Sequence, residues 1–141
     1  MEKTVEMNNA EISDAVETLV SIINLISSKK ISHAPDFSYI IGRNLRILRS
    51  ENADYIDEQQ RLIQEYGEYK ETDDGKGYYS INKNDKDQFR AYQDKVKKLS
   101  QIKHQITIYK VPVGKMTEWN LPFEVETLLW FMVDETTLGL M

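Results

Sequence analysis

One stretch of this chain is too long for the molecule that has to contain it. From residue 36 to 67 the apolar side chains Phe37, Ile41, Leu45, Leu48, Ile56, Ile63 and Tyr66 fit a helical stripe. Ile40, Tyr55 and Leu62 widen the stripe, while Asn52 and Gln59 fall on it where an apolar residue is expected. This periodicity predicts an amphipathic helix. Charged residues line its other faces, and Asp57, Arg61 and Glu65 are spaced for i,i+4 pairing. Pro35 and Asp36 suit the first turn, and Gly67 is a stop. At 1.5 Å per residue, some thirty residues reach roughly 45 Å. A compact domain of 141 residues has a radius of gyration near 14 Å and a diameter of only about 35–40 Å. The helix must bend near Ser50 to Asn52, or its end must pack on something outside the globule, such as a second subunit.

Shorter elements flank it. Ile12, Val16, Leu19, Val20, Ile23 and Ile26 predict a first helix over 9–28, capped by Asn8 or Asn9, with Lys29 and Lys30 at its C-terminus. The run Asp73-Asp74-Gly75-Lys76-Gly77 is a turn signal, and Tyr78-Tyr79-Ser80-Ile81 has strand preferences, so a short hairpin, or one strand after a mobile loop, is expected within 69–82. Asn84 is placed to cap a third helix, with Phe89, Tyr92, Val96 and Leu99 on one face. Over 102–113 the pattern alternates, with Ile102, His104, Ile106, Ile108 and Lys110 on one side of a half-buried strand. Pro122 opens a fourth helix, buried through Val125, Leu128, Leu129 and Met132. The expected fold is thus α+β and predominantly helical. It is a single domain, 1–141, with four helices and a small antiparallel hairpin or sheet from 69–82 and 102–113.

The chemistry of the side chains narrows the function by exclusion. There is no cysteine, which removes disulfides, thiolate metal sites and thiol nucleophiles. The N-terminus lacks the basic and apolar regions of a signal peptide, and the longest apolar stretch, near Leu19 to Ile26, is too short to span a bilayer. A cytoplasmic protein without membrane contact is expected. His33 and His104 are the only histidines and lie far apart in sequence, so no metal site is expected. Asp73-Asp74-Gly75 lacks the alternating ligands and the closing glutamate of a calcium loop. No nucleophile elbow is present, and Gly75-Lys76-Gly77 has neither phosphate-loop spacing. No catalytic residue and no cofactor can be assigned, although 23 acids ensure that some carboxylates lie close together.

Charge is unevenly spread. Residues 51–74 hold nine acids against Arg61 and Lys70, a net of −7, and residues 83–110 hold eight bases against three acids, a net of +5. Segments of opposite sign pack against each other or against a neighbouring copy. One cationic cluster remains as a candidate binding site. Arg43, Arg46 and Arg49 drift by about 60° per step and share a third of the long helix's circumference. They suit a phosphate, a nucleic acid or an acidic partner, or else form a salt-bridged face with Glu51 and Asp54 in reach.

The order of features also resembles a group of small uncharacterised proteins of tailed bacteriophages. The features are an apolar first helix, a Ser/Lys-rich connector, and an arginine-bearing helix running into Leu62-Ile63-Gln64-Glu65-Tyr66-Gly67-Glu68. An Asp-Asp-Gly-Lys turn, a helix, an Ile-x-Ile strand and a Pro-led last helix follow, covering about residues 15–134. The resemblance implies a phage or prophage origin and carries no catalytic residues. Together these features lead to the expectation of a non-enzymatic protein that binds a protein partner and forms a homo-oligomer. It would be a virion accessory or assembly factor, or an inhibitor of a host process, in the host cytoplasm or with the virion. The alternative is a nucleotide or nucleic-acid binder using the three arginines. An unrecognised enzyme would need a deep pocket with converging polar groups.

Overall fold

The computed structural model describes residues 2–28, 35–112, 114, 118–119 and 129–134. Strand β1 (Glu2–Asn8) leads into helix α1 (Asn9–Ser27), followed by the long helix α2 (Pro35–Tyr66). Strands β2 (Gly67–Glu71) and β3 (Gly77–Ile81) form a hairpin, α3 (Lys86–Ser100) follows, and β4 (Lys103–Tyr109) comes next. Two short strands, β5 (Val111–Pro112) and β6 (Val133–Asp134), complete the described fold.

The entry to α1 is fixed by a reciprocal cap. The Glu11 backbone N–H donates to Asn8 Oδ1 at 2.8 Å, and the Asn8 N–H donates to Glu11 Oε1 at 3.0 Å. From there Ile12, Ala15, Leu19 and Ile22 are buried, with Val16, Val20, Ile23 and Ile26 packed beside them. They meet Phe37, Ile41, Leu45 and Leu48 of α2, and β1 and β4 close the same core through Met7, Ile106 and Ile108. At the start of α2, the Phe37 and Trp119 rings pack at 5.0 Å between centroids, and Trp119 Nε1 donates to Asp36 Oδ1 at 3.1 Å.

The β structure differs from the expectation of one sheet built from 69–82 and 102–113. Strand β4 does not join the hairpin; it pairs antiparallel with β1, from Glu2 opposite Tyr109 to Asn8 opposite Lys103. The N-terminal strand was missed because its inward side offers only Val5 and Met7 as apolar residues, beside Lys3. The third pair, β5 with β6, is parallel. Ile102, expected inside, lies one residue before β4 and is 48% exposed.

The described residues hold three α-helices, not four. Most of the expected fourth helix, including Pro122, Val125 and Leu128, falls outside the described residues, as do Lys29, Lys30 and His33. At the end of that segment Trp130–Met132 is a single 3-10 turn, which the extended backbone of Val133 terminates as the chain enters β6. The cap of α3 also shifts by one residue. Asp85, rather than Asn84, accepts the Gln88 N–H at 3.2 Å, while the Asn84 N–H is taken by Asn82 Oδ1 at 3.0 Å.

Helix α2 runs uninterrupted for 32 residues, a span of about 48 Å, with no break at Ser50–Asn52. Its surplus length is met inside the chain. The N-terminal part, to Leu48, belongs to the main core; beyond it α3 and the β2–β3 hairpin pack on the helix instead. Tyr55 and Leu62 are buried there, outside the main cluster. The molecule is therefore a core with an arm.

Candidate functional site

Sequence spacing selected Arg43, Arg46 and Arg49, and the helix separates them into two and one. Arg43 and Arg46 line one open groove of about 490 Å³ together with Ile47, Ser50 and Glu51. Arg49 does not line it. Arg43 is already engaged. It pairs with Glu2 of β1, and hydrogen bonding to Tyr39 with the Glu2 charge holds its pKa above the ordinary value. Arg46 and Glu51 both line the groove, so the surface carries both signs.

The arm presents a second candidate surface. The hairpin closes through Thr72–Lys76, where the Thr72 N–H donates to Lys76 O at 2.8 Å and the Gly75 N–H to Thr72 O at 3.0 Å. Gly75 sits at φ 83°, a left-handed conformation that a side chain resists. Asp74 accepts from the Thr72 hydroxyl and from the Lys76 N–H, and these bonds lower its pKa. The turn places Tyr69 opposite Tyr79 and Lys70 opposite Tyr78. Tyr69 and Tyr79 meet edge to face at 5.5 Å, and the Tyr69 ring lies against Gly77, occupying the space a Cβ would need. All three tyrosines are exposed, Tyr69 at 56%, Tyr78 at 48% and Tyr79 at 41%.

A third surface lies between α2 and α3. Tyr66 anchors the upper end: its ring packs against Tyr92 at 6.2 Å, its carbonyl accepts from Gln88 Nε2 at 2.9 Å, and Lys95 Nζ stands 5.4 Å above it. The lower end is tied by Asn9, whose Nδ2 donates to Leu99 O at 2.8 Å and whose Oδ1 meets His104 Nε2 at 2.9 Å. Between these ties α3 buries none of its own residues. Two adjoining clefts of about 400 and 470 Å³ share Glu58, Leu99 and Ile102 and form one continuous groove.

Among the described residues no group of three or more histidine, aspartate or glutamate side chains is placed to hold a metal ion, and no helix is long and apolar enough to cross a membrane. His104 is taken up by Asn9, as a strand-edge histidine with a structural partner. Sequence reading missed the tyrosine pair as a site, yet a signal was present: Tyr69 and Tyr79 stand equally far from Asp74, the centre of the turn. Nothing in the alternation of the sequence marked Ile102 as exposed. No family model matches the chain, and neither a curated protein nor a solved structure is found similar to it.

Proposed function

We propose that this chain is a non-enzymatic phage or prophage protein that acts by binding another protein, with the arm as its binding element. The observation that carries the reading is the tyrosine-bearing hairpin held at the end of a 32-residue helix. Tyrosine offers a large amphipathic surface at little conformational cost and is enriched where proteins meet. Tyr69 and Tyr79 brace each other before any partner arrives, so little ordering is left to oppose binding. The order of helices, turn and strand, which resembles small tailed-phage proteins, supports the origin, and self-association through α2 belongs to the same reading.

The test is comparative. Tyr78 stands on the hairpin face opposite the Tyr69–Tyr79 pair, so changing Tyr78 and Tyr79 together removes exposed aromatic surface from both faces. The immobilised wild-type protein is expected to retain a defined protein from phage-infected cells. Tyr78→Ser combined with Tyr79→Ser should weaken that binding by about 2 kcal/mol, roughly thirtyfold. Identical capture by a folded double variant would overturn the proposal.

The groove lined by Arg43 and Arg46 supports the second reading, an anion binder for nucleotide or nucleic acid. It requires affinity that falls with salt and with the triple change of Arg43, Arg46 and Arg49 to alanine. The ion pair to Glu2 and the presence of Glu51 weigh against it.

A further inference from the structure

The groove between α2 and α3 carries its charge in two blocks. Glu51 and Asp54 lie toward the end nearest His104. Lys95 and Lys98 lie toward the other end, beside Glu65. In its middle Leu99 and the exposed Ile102 are common to both halves, beside Glu58, whose carboxylate pairs with Arg61. Internal pairing leaves much of this charge unused. Lys95 reaches Glu65 at 3.7 Å and Glu58 pairs with Arg61, whereas Glu51, Asp54 and Lys98 have no ion pair among the described residues.

A surface with one acidic end, an opposite end that carries Lys95 and Lys98, and two aliphatic side chains at its centre is complementary to itself under a two-fold rotation. The axis would pass near Ile102, turning the acidic end of one copy onto the lysine-bearing end of the other. This is the isologous geometry of a cyclic dimer, in which the same patch serves both subunits. A partner of a single charge sign would meet repulsion at one end of the groove, which disfavours nucleic acid and uniformly acidic or basic peptides. Two further observations agree. Helix α3 buries no residue in the isolated chain, and a large aliphatic side chain sits exposed at the proposed axis.

We propose that a second copy of this chain docks antiparallel in the α2–α3 groove, with Ile102 at the two-fold axis and Glu51 and Asp54 facing the partner's Lys95 and Lys98. This rests on the reading of the chain as an associating protein and names one of its partners; the hairpin tyrosines stay outside the groove and free for another.

The experiment uses the two-fold itself. Two charge-reversed proteins are compared by sedimentation equilibrium: Glu51→Lys with Asp54→Lys, and Lys95→Glu with Lys98→Glu. Alone, each places like charges at both ends of its homodimer and is expected to weaken dimerisation at least about tenfold relative to wild type. Mixed in equal amounts, they restore opposite charges at both ends, and a heterodimer of near wild-type affinity is expected. Ile102→Glu removes an aliphatic side chain from the centre and should leave a folded monomer by circular dichroism. A wild-type protein that stays monomeric at millimolar concentration overturns the dimer, as does a dimer unchanged in both variants or a mixture that fails to associate. Each of these results leaves capture through Tyr78 and Tyr79 untouched, and loss of that capture leaves the dimer untouched.

Discussion

Two buried asparagines on α2 meet opposite fates, and the difference decides what each contributes. Asn44 is fully buried and hydrogen-bonded on both sides of its amide. Its Nδ2 donates to Tyr109 O at 2.9 Å, and its Oδ1 accepts the Tyr109 N–H at 2.7 Å. A helix side chain thus supplies the pairing that a neighbouring strand would give at the end of β4. Removing it strands two backbone groups where water cannot easily reach them, each at about 1–3 kcal/mol. Asn44→Ala is therefore expected to lower unfolding free energy by about 3 kcal/mol, read from the midpoint shift in urea. Asn52 is 5% exposed, and its Oδ1 finds no partner among the described residues. An apolar replacement of similar shape removes that cost, so Asn52→Leu should raise stability by about 1 kcal/mol in the same assay. A decrease would mean that the amide holds something the fold needs, as a polar residue in a helical seam can fix register at a cost in stability.

At the scale of elements, the burial along α2 follows Ile41, Leu45, Leu48, Asn52, Tyr55, Gln59, Leu62 and Tyr66, in alternating steps of four and three. That is a 3.5-residue period, the seam of helices packed side by side. It explains why Asn52 and Gln59 were rightly placed on the stripe and Ile56 wrongly so: Ile56 sits one residue past the seam and is 44% exposed. The extents of α1, α2 and α3, the capping of α1 and the Asp-Gly turn were legible in the sequence because each is decided within a few residues. The partner of β4 was not legible, since β1 lies about a hundred residues away and carries only two apolar inward positions. Nor was the split of the arginines, which depends on where β1 delivers Glu2. The hairpin turn, being local, also yields a local prediction. Asp74 is exposed, and its pKa is lowered by the Thr72 hydroxyl first and the Lys76 N–H second. A carboxylate depressed in the fold contributes above its ordinary value near 3.8, and that contribution is lost as pH falls through the lower folded value. In an NMR titration the Lys76 amide should shift with a midpoint below the ordinary value, and Asp74→Asn should abolish that transition.

For the whole molecule, the division into core and arm predicts uneven stability. The core gathers α1, the N-terminal part of α2, β1 and β4 around side chains with almost no exposure. The arm rests on Tyr55 and Leu62, the Tyr66 contacts and the Asn9 ties, with no buried residue in α3. Elements with few buried apolar contacts open at lower free energy than the whole chain unfolds. Amides of β2, β3 and α3 are therefore expected to exchange at least about 2 kcal/mol more readily than those of α1 and β4, measured by native-state hydrogen exchange in dilute solution. Equal protection would mean that the arm folds and unfolds with the core. Association changes this balance in a specific way. A copy docked in the α2–α3 groove binds only the closed arm, so mass action stabilises α3 as chain concentration rises above the dimer dissociation constant. At a hundredfold excess the gain is about 2.7 kcal/mol, enough to erase the difference between arm and core. Protection of α3 should climb with concentration in the wild-type protein and stay flat in Ile102→Glu. A concentration-independent arm in both proteins would place the surplus length of α2 in the service of the hairpin alone.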